Sequence, residues 1–196
     1  MIDTAAVARG GRWIAVLALA LPLAAHAQCA KNVGPSWQDV ATRKDIARMR
    51  QWRSTWVAAL PKARTAGNGT AIDAEAALLD PDAGLYDPTP PAGDYSCRAV
   101  RFGEGHGAVN DFAAVPAARC RIKALGDGLL GFAQLDGTER PVGRIYPGEG
   151  SRLTFLGTLS IGDESRPFAY GVDEGRDLIG YVERVGPSRW RLALPF

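Results

Sequence analysis

The spacing of apolar positions changes near residue 80. Before that point the pattern is helical. Ile46, Met49, Trp52, Trp56, Val57 and Leu60 recur at steps of three and four, which places them on one face of a long helix. Thr42 and Asp45 stand ahead of that run as a capping-box-like pair. Pro61 is expected to kink or end the helix, and "AGNGT" (66–70) to close the segment as a turn. Thr70, with Asp73 three residues on, marks the start of a second short helix over 71–79. After residue 92 the period drops to two. Short alternating runs lie near 94–102, 118–125, 129–135, 140–146, 152–161, 168–172, 177–185 and 189–194, separated by Gly, Asp or Pro turns. Between the two regimes, "PDAGLYDPTPP" (81–91) reads as an extended proline-rich connector.

These rhythms predict an α+β protein that is mainly β. N-terminal helices would pack on an antiparallel meander of about eight strands, either a lipocalin- or avidin-like barrel or a sandwich. Strands and helices do not alternate, so a parallel α/β sheet is not expected. The implied organisation is a leader over 1–27, a helical segment over 28–80, the connector over 81–92 and a β-barrel domain over 93–196. The leader reading rests on Arg9 and Arg12, the apolar run "IAVLALALPLAA" (14–25) and the small-x-small triplet "AHA" (25–27). Together these have the form of a cleavable secretory signal, too short for a membrane span. Gln28 before Cys29 argues against lipidation. Periplasmic or secreted localisation is the expectation.

Charge and chemistry narrow the picture. Removing 1–27 takes away Asp3, Arg9 and Arg12, so 23 basic and 21 acidic residues become 21 and 20. No global field favours nucleic acid. Three cysteines in an exported chain suggest one disulfide and one odd thiol. Cys97 and Cys120, in consecutive predicted strands, are the expected pair. Closing the 22 residues between them is worth roughly 3 kcal/mol in the chain-entropy model. His106 lies between the two cysteines, but the spacing matches no compact zinc motif, and a loop histidine is the simpler reading. Neither a metal nor a cofactor is expected.

"GDGLLG" (126–131) fits a dinucleotide fingerprint in letters only. A strand follows it rather than a helix, so a hairpin turn is expected. "DPDAGLYD" (80–87) lacks the spacing of a calcium loop. The carboxylates Asp173, Glu174, Asp177 and Glu183 could serve glycoside hydrolysis, but ion pairs with Arg176 and Arg184 explain them more simply. The helix carries Arg43, Lys44, Arg48, Arg50, Arg53, Lys62 and Arg64. Peripheral membrane contact through this basic face is weighed and not favoured over packing of the tryptophans on the domain.

The stretches "PPAGDYSCRAVRFG", "RCRI", "FAQLDGTERPVGRIYP", "LTFLGTLSIGDE", "YGVDEGRDLIGYVERVG" and "RWRLALP" resemble, in order, a proteobacterial exported family classed as a domain of unknown function. The helix "TRKDIARMRQWRSTWVAALPKAR" is similar to that family's N-terminal part, although Pro61 falls where a helix former is expected. The resemblance implies a helical part followed by a β-rich part, and no catalytic residues. A second likeness is architectural: "GDYSC" and "CRI" sit as the early bridge does in small periplasmic barrels that inhibit secreted metalloproteases.

The function expected is a non-enzymatic periplasmic module that binds a small apolar ligand or a protein partner. A protease-inhibitor-like barrel is the alternative, and a carboxylate-based hydrolase stands behind both. No catalytic residue is assigned. Arg140, Arg144, Tyr146, Tyr170, Arg176 and Asp177, grouped around three predicted strands and their turns, form the candidate polar binding site.

Overall fold

A computed structural model describes residues 36–103 and 111–195. After a single helical turn, α1 (Trp37–Val40), the chain enters α2 (Arg43–Ala63). Thr42 caps α2, its Oγ1 accepting the Asp45 amide at 3.2 Å. Met49 and Trp52 are buried, whereas Val57 is 46% exposed, so the buried stripe is narrower than the periodicity suggests. Pro61 does not end the helix, which runs to Ala63. The missing proline N–H would have served the carbonyl of half-exposed Val57, where water can replace it. The break comes instead in a π-turn, Arg64–Asn68, where Gly67 has φ 97°. Then follow α3 (Gly69–Glu75) and one 3-10 turn (Ala76–Leu78).

Among the described residues nine strands follow: β1 (Gly93–Cys97), β2 (Val100–Phe102), β3 (Phe112–Ala114), β4 (Ala118–Gly126), β5 (Leu129–Gln134), β6 (Glu139–Tyr146), β7 (Leu153–Ile161), β8 (Asp177–Gly186) and β9 (Arg189–Ala193). Seven of them form one antiparallel sheet in the order β1-β4-β5-β6-β7-β8-β9, and β2 and β3 pair as a separate ribbon. The sheet curls into a half-barrel. The expected α+β, mainly β, arrangement of N-terminal helices on an antiparallel meander is present, and because β1 and β9 share no ladder the sheet stays open. Across this seam the Tyr95 and Trp190 rings meet edge to face, 6.0 Å between centroids.

Two strand expectations change. The run at 94–102 splits into β1 and β2, because pairing with β4 ends at Cys97 opposite Ala118 and the chain turns away to pair with β3. The run at 168–172 is a loop. Gly171 at φ 86° breaks the extension, and Phe168 and Val172 face solvent. The "GDGLLG" glycines do make a hairpin turn, with Gly126, Asp127 and Gly128 all at positive φ between β4 and β5. Cys97 and Cys120 are bonded, with Cα atoms 5.9 Å apart, and tie edge strand β1 to β4. His106 and Cys29 lie outside the described residues.

Alternate residues of the same strands build two different layers. On the concave face, Ile145, Leu153, Phe155, Leu178 and Val182 form a buried cluster against Leu130, Phe132, Trp190 and Leu192. Gly143 and Gly157 face each other across β6 and β7 beneath the Phe155 ring. A Cβ on Gly157 would lie 2.3 Å from the Val142 carbonyl oxygen and 2.5 Å from that ring. The absent side chains are what let the strands approach and the ring lie flat over them.

On the other face, Tyr146, Leu156 and Ile179 receive Met49 of α2. Further along, Ala63, Ile72 and Leu79 pack with Trp56, Val100, Phe102 and Phe112, which anchors the ribbon under the helices.

Candidate functional site

The helix-facing side of the sheet carries buried charges as well as apolar contacts. Ile179, Tyr181, Glu183 and Val185 share that face of β8. Glu183 has no exposed surface, and Arg191 is only 4% exposed. Arg191 Nε and Nη2 both reach Glu183 Oε2, at 2.9 and 2.6 Å. Arg152 Nε donates to the other oxygen at 2.7 Å. Arg191 Nη1 then donates to the carbonyls of Leu78 (2.9 Å) and Asp80 (2.6 Å), which leave the 3-10 turn. The Arg152 guanidinium sits 4.5 Å from the Trp52 ring centroid, and that of Arg191 sits 5.0 Å from Trp56. Within this triad Arg191 Nη1 carries the hydrogen bonds to the helical layer, while Arg152 and Arg191 reach it again through the Trp52 and Trp56 rings.

A second enclave lies at the start of α2. Asp45, 1% exposed, accepts from Arg48 Nε at 2.9 Å and from the Tyr170 hydroxyl. That hydroxyl in turn accepts the Thr42 amide at 3.0 Å. Burial, with the hydrogen bond to Asp45, pushes Tyr170 up to about 12. Arg48 Nη2 also reaches the Asp177 carbonyl at 3.0 Å. Asp177 Oδ1 accepts only the Gly171 amide, at 2.9 Å. Burial, and then the neighbouring Asp45 charge, raise the Asp177 carboxyl above its usual range.

A third group holds the loop 162–176. Arg140 donates to Ser160 Oγ at 3.0 Å and to the Glu164 carbonyl at 3.1 Å. Arg176 binds Glu164 Oε1 at 2.6 Å and Asp173 at 3.3 Å, and stacks on Phe168.

A different setting exists at the β1 edge. A surface groove of about 470 Å³ runs between Asp94, Tyr95, Ser96, Arg119, Arg121 and Asp136. Arg119 grips Asp136 through two bonds, at 2.9 and 2.8 Å, and holds its carboxyl down at about 2. Arg121 does the same to Asp94 and lowers it.

Residues 37–196 match the model of a family described as a domain of unknown function, DUF4893. The chain belongs to that family. No curated protein and no solved structure matches it.

In this DUF4893 chain the six sequence-predicted residues divide. Tyr146, Tyr170 and Asp177 gather around the start of α2, while Arg140 and Arg176 meet at Glu164. Arg144 is exposed opposite Leu156. The ion pairing expected for Arg176 is present, but Arg184 donates to the Tyr86 carbonyl and Glu183 takes Arg152 and Arg191 instead. Among the described residues, no group of three or more His, Cys, Asp or Glu could hold a metal ion, and no helix is long and apolar enough to cross a membrane.

The sequence reading missed Arg48, Arg152, Glu164 and Arg191. For Arg191 local pattern gave no signal: in "RWRLA" the alternation puts Trp190 and Leu192 on the apolar face and Arg191 with exposed Arg189 on the other.

Proposed function

We propose that this DUF4893 protein is a non-enzymatic interaction module, exported after loss of residues 1–27, that takes an extended segment of a partner protein along the edge of β1. One observation carries the choice of a protein over a small apolar ligand. The concave face, where a lipocalin-like ligand would lie, is filled by Phe155, Ile145, Leu178 and Val182, each at most 4% exposed. The edge of β1 supports the choice of site. It is hydrogen-bonded on one side only, within a sheet that stays open, and such an edge offers backbone donors and acceptors to an added strand. The Asp94–Arg121 and Arg119–Asp136 pairs lie on the adjoining face over β1, β4 and the end of β5, where their two signs of charge would set register more than affinity.

The test places a photo-crosslinking residue at Ser96, exposed in the groove, and as control at Thr65, exposed on the helical side, in the producing cell. An adduct of one defined mass from Ser96 alone is expected, and it should disappear when an introduced Asp94→Pro removes the neighbouring amide on the open side of β1. Equal labelling from both positions would overturn the β1 assignment. Saturable one-to-one binding of a fatty acid, lost in Phe155→Trp, would overturn the choice of partner class.

A further inference from the structure

A meander of seven strands cannot close into an antiparallel barrel, because strand direction alternates and closure needs an even count. Each neighbour in the large sheet runs antiparallel to the last, from β1 through β4 to β9. β9 therefore runs the same way as β1, and the two unpaired edges that face across the seam are parallel to each other. One more strand, antiparallel to both, restores the alternation and closes an eight-stranded barrel. The Tyr95 and Trp190 rings meet across the seam, and Trp190 packs on the apolar cluster of the concave side. Trp190 Nε1 is buried with no acceptor among the described residues, and an indole can only donate. The helix-facing side of the seam is charged. Glu75 of α3, itself buried, takes both Arg98, just past β1, and Arg189, the first residue of β9, the latter at 3.6 Å. Two partly exposed guanidiniums thus share one carboxylate, whereas Arg119 and Arg121 each have an aspartate of their own.

We propose that the seam takes one extended segment of a partner protein, inserted antiparallel to β1 and hydrogen-bonded to β1 on one side and to β9 on the other. Its inward residues are apolar, against Tyr95 and Trp190, and an outward residue toward Arg98 and Arg189 carries a carboxylate. The proposal rests on the β1-edge reading above and adds the second edge, the direction and the chemistry of the segment. The geometry also selects the kind of partner. A strand within a folded sheet already spends an edge on its neighbour, so it can extend β1 but cannot fill the seam. The same holds for β1 of a second copy, which is paired to β4. The occupant has both edges free, as a chain terminus or linker without a sheet of its own does.

The test compares photo-crosslinking residues at Ser96 and at Ser188, exposed in the turn that leads into β9, in the producing cell. One partner peptide labelled from both positions is expected. Labelling from Ser96 without Ser188 overturns the insertion and leaves addition to β1 alone standing. Labelling from neither overturns the β1 reading itself, and the insertion with it. An adduct at the mass of a dimer overturns the proposal in favour of a second copy. Direction is read by moving the probe from Asp94 to Ser96. The labelled residue should shift toward the N-terminus of the segment, and a shift toward its C-terminus overturns antiparallel seating. Arg189→Glu should lower labelling from Ser96 severalfold, while Arg189→Lys stays near wild type. Equal labelling in all three overturns the carboxylate assignment.

Discussion

The two faces of one sheet solve the same problem by different means. The concave face closes on itself through apolar contact, and a facing glycine pair lets Phe155 lie flat against β6 and β7. The helix-facing side, built from the alternate residues of the same strands, must hold a separate layer. It does so with directional bonds that cross between the layers: Arg191, held by Glu183, to the carbonyls of Leu78 and Asp80, Arg48, held by Asp45, to the Asp177 carbonyl, and the Tyr170 hydroxyl to Asp45. Apolar packing alone would hold the helices without fixing their position along the strands. Ion pairs with main-chain carbonyls at the far end fix that position. Buried polar clusters that look like reaction centres can therefore be explained here as fasteners, and the site of interaction is better sought where charge is exposed.

The contrast can be broken from either side. Glu183→Gln strikes the polar face hardest, because it leaves Arg191 buried without its counter-charge. A loss of about 3–5 kcal/mol is expected in denaturant unfolding, and a loss under 1 kcal/mol would deny the clamp its role. Replacing Cys97 and Cys120 by serine frees edge strand β1 from β4 and should cost about 3 kcal/mol. Peptide mass spectrometry of the oxidised protein should recover the Cys97–Cys120 cross-link. Gly157→Ala tests the apolar face, where the new methyl must displace the Val142 carbonyl or Phe155; about 1–3 kcal/mol should be lost without change in the helical circular dichroism. Arg119→Ala is the smallest of the set. The pair is exposed, so the unfolding midpoint should not move, while crosslinking from Ser96 should weaken.

The strand periods and the helix face were legible because burial imposes them residue by residue. Ile179, Tyr181 and Val185 announce β8, and Leu153, Phe155 and Leu159 announce β7. The disulfide was legible from cysteine number and spacing together with the expected export. The open seam was not, since nothing in a local alternation says whether the last strand meets the first. The loop at 168–172 imitated a strand because "FAYGV" alternates, and only the backbone of Gly171 betrays it. Of the polar site, Tyr170 and Asp177 were found as polar residues near turns. Their partners Asp45 and Arg48 lie about 125 positions earlier in the chain, and local pattern does not report a pairing of that range.

The central claim is that buried charge fastens the helical layer to a sheet whose other face stands on its own. Hydrogen exchange on Arg191→Met tests it most directly, since methionine keeps the bulk and removes the bonds to Glu183 and to the carbonyls of Leu78 and Asp80. Amides over 76–80 and in α2 around Trp52 and Trp56 should exchange at least about tenfold faster, one factor of ten being about 1.4 kcal/mol, while β5 to β7 keep their protection. Equal acceleration in helices and sheet, or none in the helices, would contradict the account.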